Sequence, residues 1–317
     1  GPVSSQGDIN NDGYPDFVIP GAKNSAGQIL LGSAQGWVAS DLSQEVFEQI
    51  KGAEHTETLL FDADNDNDLD LYLVSGGIEV TPYSQMVFDH LLFNDGKGNF
   101  TLSEQKLPNP NHRISSGAVR AADVDQDGDL DLFVGERLKY NAYGLPASGY
   151  LLINDGKGNF SDQTPQLARE FINLGMITDA QFLDMDSDND PDLLVVGEFT
   201  GIHLFENQQG KFVEKLQPLA EEKGWWLRAH AVDIDQDGDQ DFVLGNHGKN
   251  SRFRTSKERP VKMYLNDFDQ NGSIEGVLTF TAEDGRDLPY ALRHDLIDQM
   301  KVLKKKFPDY ASFRNAD

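Results

Sequence analysis

A nine-residue aspartate pattern, D-x-D-x-D-[G/N]-x-x-D, recurs along this chain and constrains its fold more than any other feature. It stands at Asp8–Asp16, Asp62–Asp70, Asp123–Asp131, Asp184–Asp192 and Asp233–Asp241, with a looser sixth copy at Asp267–Glu275. Carboxylates at alternating positions repel one another unless a hard cation sits among them, and calcium, which takes roughly six to eight oxygen ligands in forgiving geometry, is the natural candidate. Gly13, Asn67, Gly128, Asn189, Gly238 and Gly272 hold the sixth position, where a left-handed residue wraps the loop. The first aspartates of the first five copies fall at 8, 62, 123, 184 and 233, intervals that mark a repeat architecture.

The sequence around each loop predicts strands. Runs such as Thr58–Phe61 and Ala180–Leu183 precede the loops, and Phe17–Ile19, Leu71–Val74, Leu132–Val134, Leu193–Val196 and Phe242–Leu244 follow them. A second element then reads as a hairpin. Leu91–Phe100 and Leu151–Phe160 both place an apolar run before Asn-Asp-Gly-Lys-Gly-Asn-Phe, and His203–Phe212 and Ile29–Trp37 are weaker copies. Four strands in a repeat of roughly 50–60 residues predict an all-β fold, a β-propeller of four-stranded blades. Five repeats are recognisable, and the expected propeller spans 3–282. The sixth loop shares the register of Asn94-Asp95 and Asn154-Asp155 at Asn266-Asp267, so it belongs in a third-to-fourth-strand hairpin of the fifth repeat. Residues 283–317 are expected to form a helical tail packed on the propeller. Leu292, Leu296, Met300, Leu303 and Phe307 have helical spacing, Asp287 and Pro289 supply a start, and Lys304–Lys306 a stop.

The formal charge is -26, but about half of the 53 acidic residues lie inside the six loops. The acidity is therefore a property of the loops, and nucleic acid is excluded as a general partner. With no cysteine, neither disulfides nor thiolate metal sites are available. Metal ions are then left to staple the fold, which suits an extracellular, cell-surface or periplasmic setting. No apolar stretch reaches membrane-spanning length, so membrane insertion is not expected.

The EF-hand is a rival reading of such loops, but it needs a bidentate Glu at position twelve. Ile19, Leu73, Val134, Val195, Leu244 and Leu278 stand there instead, all apolar. In combination, the aspartate loop, the apolar strand and the N-D-G-K-G-N-F hairpin resemble the FG-GAP/VCBS repeats. Those repeats build the calcium-binding propellers of integrin α-subunits and of proteins such as the cartilage acidic protein family. The resemblance covers about residues 7–282. It implies side-chain ligands at loop positions one, three, five and nine, with a backbone carbonyl at seven. Those ligands are Asp8, Asn10, Asp12 and Asp16; Asp62, Asp64, Asp66 and Asp70; Asp123, Asp125, Asp127 and Asp131. The remaining loops give Asp184, Asp186, Asp188 and Asp192; Asp233, Asp235, Asp237 and Asp241; Asp267, Asp269, Asn271 and Glu275. Five or six Ca²⁺ ions are implied, with Asp68, Asp129, Asp190 and Asp239 turned outward.

No nucleophile, zinc-protease or phosphate-loop spacing is present, so a binding, adhesion or scaffolding module is expected rather than an enzyme. The alternative is a glycan-active or other hydrolytic propeller with its site at the mouth of the central channel. Alternation puts Glu57, Asp179 and Arg228 on the channel face of the innermost strands with Arg120, Gln181 and His230, and a satisfied polar lining is the expected state there. Long connections over 75–90, 135–150 and 249–262 carry Tyr83, Tyr140, Tyr143, Arg252, Phe253 and Arg254. Aromatic and arginine side chains of this kind fit a protein or glycan partner.

Overall fold

The computed structural model describes residues 3–314 other than Asn141, Asp239, Lys249 and Asn250. The chain divides into two compact units, Gly1–Tyr140 with Pro146–Asn246, and Asn141–Leu145 with His247–Asp317. In the first unit, each aspartate loop joins the first two strands of an antiparallel sheet whose strands follow chain order. The first sheet holds β1 (Ser5–Gly7), β2 (Asp16–Ile19), β3 (Gln28–Leu31) and β4 (Val38–Ser40). The second holds β5 (His55–Phe61), β6 (Asp70–Ser75), β7 (His90–Phe93) and β8 (Thr101–Leu102). The third holds β9 (Ser115–Ala122), β10 (Asp131–Leu138), β11 (Gly149–Ile153) and β12 (Ser161–Asp162). The fourth begins with β13 (Met176–Leu183), β14 (Asp192–Thr200), β15 (His203–Gln208) and β16 (Lys211–Glu214). β17 (Gly224–Val232) and β18 (Asp241–Asn246) pair with each other, and the start of β17 also joins β14 through Glu198–Trp225 and Thr200–Gly224.

Successive side chains of a strand point to opposite faces, so a sheet buried on both faces needs apolar residues at every position. β6 shows the result, with all six residues buried. Leu71 and Leu73 pack toward the first sheet with Ile9, Val18 and Ile29. Their neighbours Tyr72 and Val74 pack the other way, with Val119, Leu132, Val134 and Leu152 of the third. The third sheet repeats the division, sending Phe133 and Leu151 toward Ile177, Leu193, Val195 and Phe205. Leu194 and Val196 then face Phe242 and Leu244. The sheets are thus stacked face to face in chain order. Their first strands run side by side, β1 next to β5, β5 to β9, β9 to β13 and β13 to β17.

Helix α1 (Gln44–Ile50), absent from the sequence reading, buries Val46, Phe47 and Ile50 against the first two sheets. A single turn, α2 (Thr164–Leu167), follows the third sheet.

The second unit contains a three-stranded sheet, β19 (Val261–Asn266), β20 (Glu275–Thr281) and β21 (Asp287–Pro289), with the sixth aspartate loop in the β19–β20 turn. Asp287 and Pro289 therefore belong to a strand and not to a helix start. The Asp287 carboxylate accepts from Lys262 Nζ, Tyr264 Oη and Thr281 Oγ1, and these bonds, Lys262's first, hold its pKa down to about 2. The single tail helix expected from the apolar spacing is three short ones, α3 (Arg293–Gln299), α4 (Leu303–Lys306) and α5 (Tyr310–Arg314). The chain leaves the helix at Met300, whose backbone is extended at φ -126° and ψ 90°. Arg293 explains why: its Nε donates to the Phe307 carbonyl at 2.8 Å and its Nη2 to that of Pro308 at 2.6 Å. An unbroken helix would separate residues 293 and 307 by about 20 Å, so the clasp requires the chain to fold back.

Candidate metal centres

All six loops share two left-handed positions. The sixth was expected, and φ there runs from 71° at Asn67 to 98° at Gly128. The fourth was not: Asn11, Asn65, Gln126, Ser187, Gln236 and Gln270 all have φ between 58° and 66°. Two left-handed residues flanking position five curl the chain so that its amides point inward. The position-six amide donates to the position-one carboxylate in every loop, at 2.8 Å for Gly13–Asp8 and 3.0 Å for Gly128–Asp123. The first loop keeps this pattern although Asn10 replaces an aspartate, and Asn10 Oδ1 accepts from the Asp12 amide.

Position nine sits differently from the rest. Asp16, Asp70, Asp131, Asp192 and Glu275 are buried, and all six acidic groups accept the amide of loop position two, as in Ala63–Asp70 at 2.8 Å. In the first four loops the other oxygen accepts an amide from the third strand's exit: Gly32, Asn94, Asn154 or Asn207, at 2.7–2.8 Å. Burial outweighs these bonds and pushes Asp70 and Asp131 up to about 7. Burial and then neighbouring carboxylates also raise Asp64 and Asp125.

Carboxylate oxygens of Asp62, Asp64 and Asp66 lie within 4.8 Å of one another, as do those of Asp123, Asp125 and Asp127. The same holds for Asp184, Asp186 and Asp192, for Asp233, Asp235 and Asp241, and for Asp267, Asp269 and Glu275. The residue set fits a hard cation on an independent ground as well. Asp62 Oδ1, Asp64 Oδ1 and Asp269 Oδ1 are buried without a hydrogen-bond partner among the described residues. An oxygen removed from water and left without a donor is costly, and a bound cation is the partner that removes the cost.

The outward orientation expected at position seven is corrected. Asp68 and Asp190 are buried, each with Oδ1 unpartnered among the described residues, and burial followed by neighbouring aspartates lifts both to about 6. The cause is the hairpin turn between the third and fourth strands, which lies over this position. A Cβ on Gly96 would meet Asp68 Oδ2 at 3.3 Å, and one on Gly156 would meet Asp129 Oδ2 at 2.5 Å. Asp129 Oδ1 instead accepts from Asn65 of the preceding loop. Asp239 lies outside the described residues.

Sequence reasoning missed the residues that tie one loop to the next repeat. Asn94, Asn154 and Asn207 had been read only as hairpin-turn residues. Asn154 Nδ2 donates to the Ala63 carbonyl of the preceding loop at 2.9 Å and to Leu130 at 3.2 Å, while Oδ1 accepts from Asp155. Asn94 makes the equivalent bonds to Ile9 and Leu69, and Asn207 to Val124 and Pro191. Their recurrence at one place in the repeat was the available signal.

Among the residues expected to line a channel, Arg120 joins Glu57 Oε1 and Asp179 Oδ1, Arg228 lies 3.8 Å from Asp179 Oδ2, and Gln181 Oε1 accepts from the Ala231 amide. The candidate partner residues belong to both units. In the first unit Tyr83 is 84% exposed, whereas Tyr140 packs against Val80, Val87 and Phe88. In the second, Tyr143 is exposed, and the Arg252 guanidinium lies over the rings of Phe253 and Tyr290, which meet edge to face at 4.7 Å. Arg254 is exposed.

Repeated antiparallel sheets, each opening on an acidic loop whose carboxylates could hold a cation, define a β-repeat protein with candidate metal-binding turns. A family model described as FG-GAP-like repeat matches residues 62–134 and 184–244. The chain carries FG-GAP-like repeats over these two stretches. No curated protein matches it.

Proposed function

We propose that this chain is a calcium-dependent β-propeller of the FG-GAP/VCBS type that acts as a binding, adhesion or scaffolding module rather than an enzyme. Five or six Ca²⁺ ions would occupy the aspartate loops, in an extracellular, cell-surface or periplasmic setting. The observation that carries this reading is the set of buried loop carboxylate oxygens without hydrogen-bond partners among the described residues, recurring in loops of one geometry. Face-to-face stacking of the sheets in chain order, with neighbouring first strands, supports the propeller. Among the described residues no helix is long and apolar enough to cross a membrane.

Calorimetric titration of metal-stripped protein with Ca²⁺ tests the reading. Several binding events are expected, together with a melting temperature that falls substantially in excess chelator, because a ligand bound only by the native state stabilises it by mass action. Flat isotherms would overturn it. For a protein or glycan partner, Tyr83, Tyr143 and Arg254 are the exposed anchors to test. Tyr143→Ala and Arg254→Ala should each weaken binding without lowering the melting temperature.

A further inference from the structure

The register of the first strands contains a feature with no signature in the sequence. In β5 the pairing with β6 passes from His55 to Glu57 and skips Thr56. β9 skips Gly117, β13 skips Thr178 and β17 skips Leu227. All four stand six residues ahead of the first loop aspartate. A β-bulge bends its strand and re-aims a side chain, and bulges concentrate beside functional sites. All four of these line one cavity of about 540 Å³ in the first unit. That volume lies within the range of small-ligand sites, roughly 300–1,000 Å³. Because the aspartate loops leave the other ends of these strands, the cavity lies at the end away from the metal centres.

Its walls carry charges that are already balanced. The four wall charges sum to zero, Glu54 and Glu79 against Arg137 and Arg228; Arg137 also pairs with Glu198 at 2.5 Å, and Arg228 lies 3.8 Å from Asp179. A charged ligand would upset that sum, whereas hydroxyl groups can accept from guanidinium N–H and donate to carboxylate without altering the balance. Ser116 adds a hydroxyl to the wall, and Thr56 Oγ1 is buried with no partner among the described residues. Ile78 and Leu227, 63% and 39% exposed, offer apolar surface beside these polar groups.

We propose that the bulge-lined cavity is a binding site for an uncharged polyhydroxylated ligand, a mono- or disaccharide. The assignment deepens the binding-module reading and rests on it. Saturation-transfer NMR and calorimetry on the calcium-loaded chain test it, with maltose, cellobiose and lactose as probes and glucuronate and glucosamine as charged controls. At least one disaccharide should bind, and Leu227→Trp, which fills the cavity from a half-exposed position, should weaken it by ~10-fold or more. Leu216→Trp, at a surface site 90% exposed and outside the cavity, should bind as wild type. Absence of binding by all three at about 20 mM, or unchanged binding by Leu227→Trp, overturns the site. A charged control that binds ~10-fold tighter than every neutral probe overturns the ligand class. Calcium uptake without saccharide binding sinks this assignment and leaves the module reading standing, whereas loss of calcium uptake strikes at that reading.

Discussion

Replacing Asn154 with Ala probes the link between neighbouring repeats. Its side chain donates to Ala63 O at 2.9 Å and Leu130 O at 3.2 Å and accepts from Asp155 N at 2.9 Å, and the residue is only 6% exposed. Each such bond contributes about 1 kcal/mol net, and a buried group left unpaired costs about 1–3 kcal/mol. The sum is a destabilisation of about 3 kcal/mol, a large share of the roughly 5–15 kcal/mol typical of a folded domain. Asn154→Asp keeps the acceptor but sets an anion against two carbonyl oxygens, so it should cost at least as much as Ala. Ala63 lies between Asp62 and Asp64, so both variants should also weaken calcium binding at that loop. Urea denaturation in calcium and in chelator separates the two effects. A loss below about 0.5 kcal/mol for Asn154→Ala would refute the claim that these asparagines hold the repeats together.

Other perturbations give equally direct readings. Gly158→Ala should destabilise by about 2 kcal/mol or more, because φ is 73° there and the new Cβ would meet Phe93 at 2.4 Å. Gly128→Asn should be nearly neutral, since Asn67 and Asn189 hold the same loop position at φ 71° and 73°; thermal melts decide both. Asp64→Asn should weaken one calcium-binding event in calorimetry and leave the others unchanged, because each loop draws its carboxylates from its own segment. The buried pair His55–His90, with Nε2 3.1 Å from Nδ1, gives a pH dependence. Burial holds His55 down to about 3 and His90 to about 4, against an ordinary imidazole value of 6.5. The folded protein then binds fewer protons than the unfolded chain. The stability these groups contribute is complete above pH 6.5 and is lost as pH falls toward 4 and 3, by at most on the order of 5 kcal/mol for His55 and 3 kcal/mol for His90. His55→Asn should flatten that slope in denaturation curves taken across this window.

The loops and the strands that leave them were legible because their causes are local: an aspartate at alternate positions and a residue tolerant of positive φ. The left-handed fourth position was hidden, since Gln126, Gln236 and Gln270 carry no sign of it. Burial of Asp68 was hidden too, because it depends on a turn beyond Phe93, in another part of the repeat. Thr56 and Thr178 match, but Gly117 and Leu227 share no side-chain chemistry with them or with each other. A bulge is a property of two strands in register, and a one-strand pattern cannot display it. In the tail, helical spacing was present, but the Arg293 clasp acts over fourteen residues and overrides it.

The acidic group at position nine serves the turn before it serves any ion. Its oxygens receive main-chain amides, so the loop has a frame that does not require metal. Within this one chain the positions have drifted accordingly. Asn10 and Asn271 stand in for aspartate at positions three and five, while position nine is Asp or Glu in every copy. A repeat of this kind can retire its ion without losing its shape, and can regain one by a single change from Asn to Asp. Asn10→Asp should thus raise the affinity of the first loop, turning a weak member of the series into a strong one with no rearrangement of the backbone.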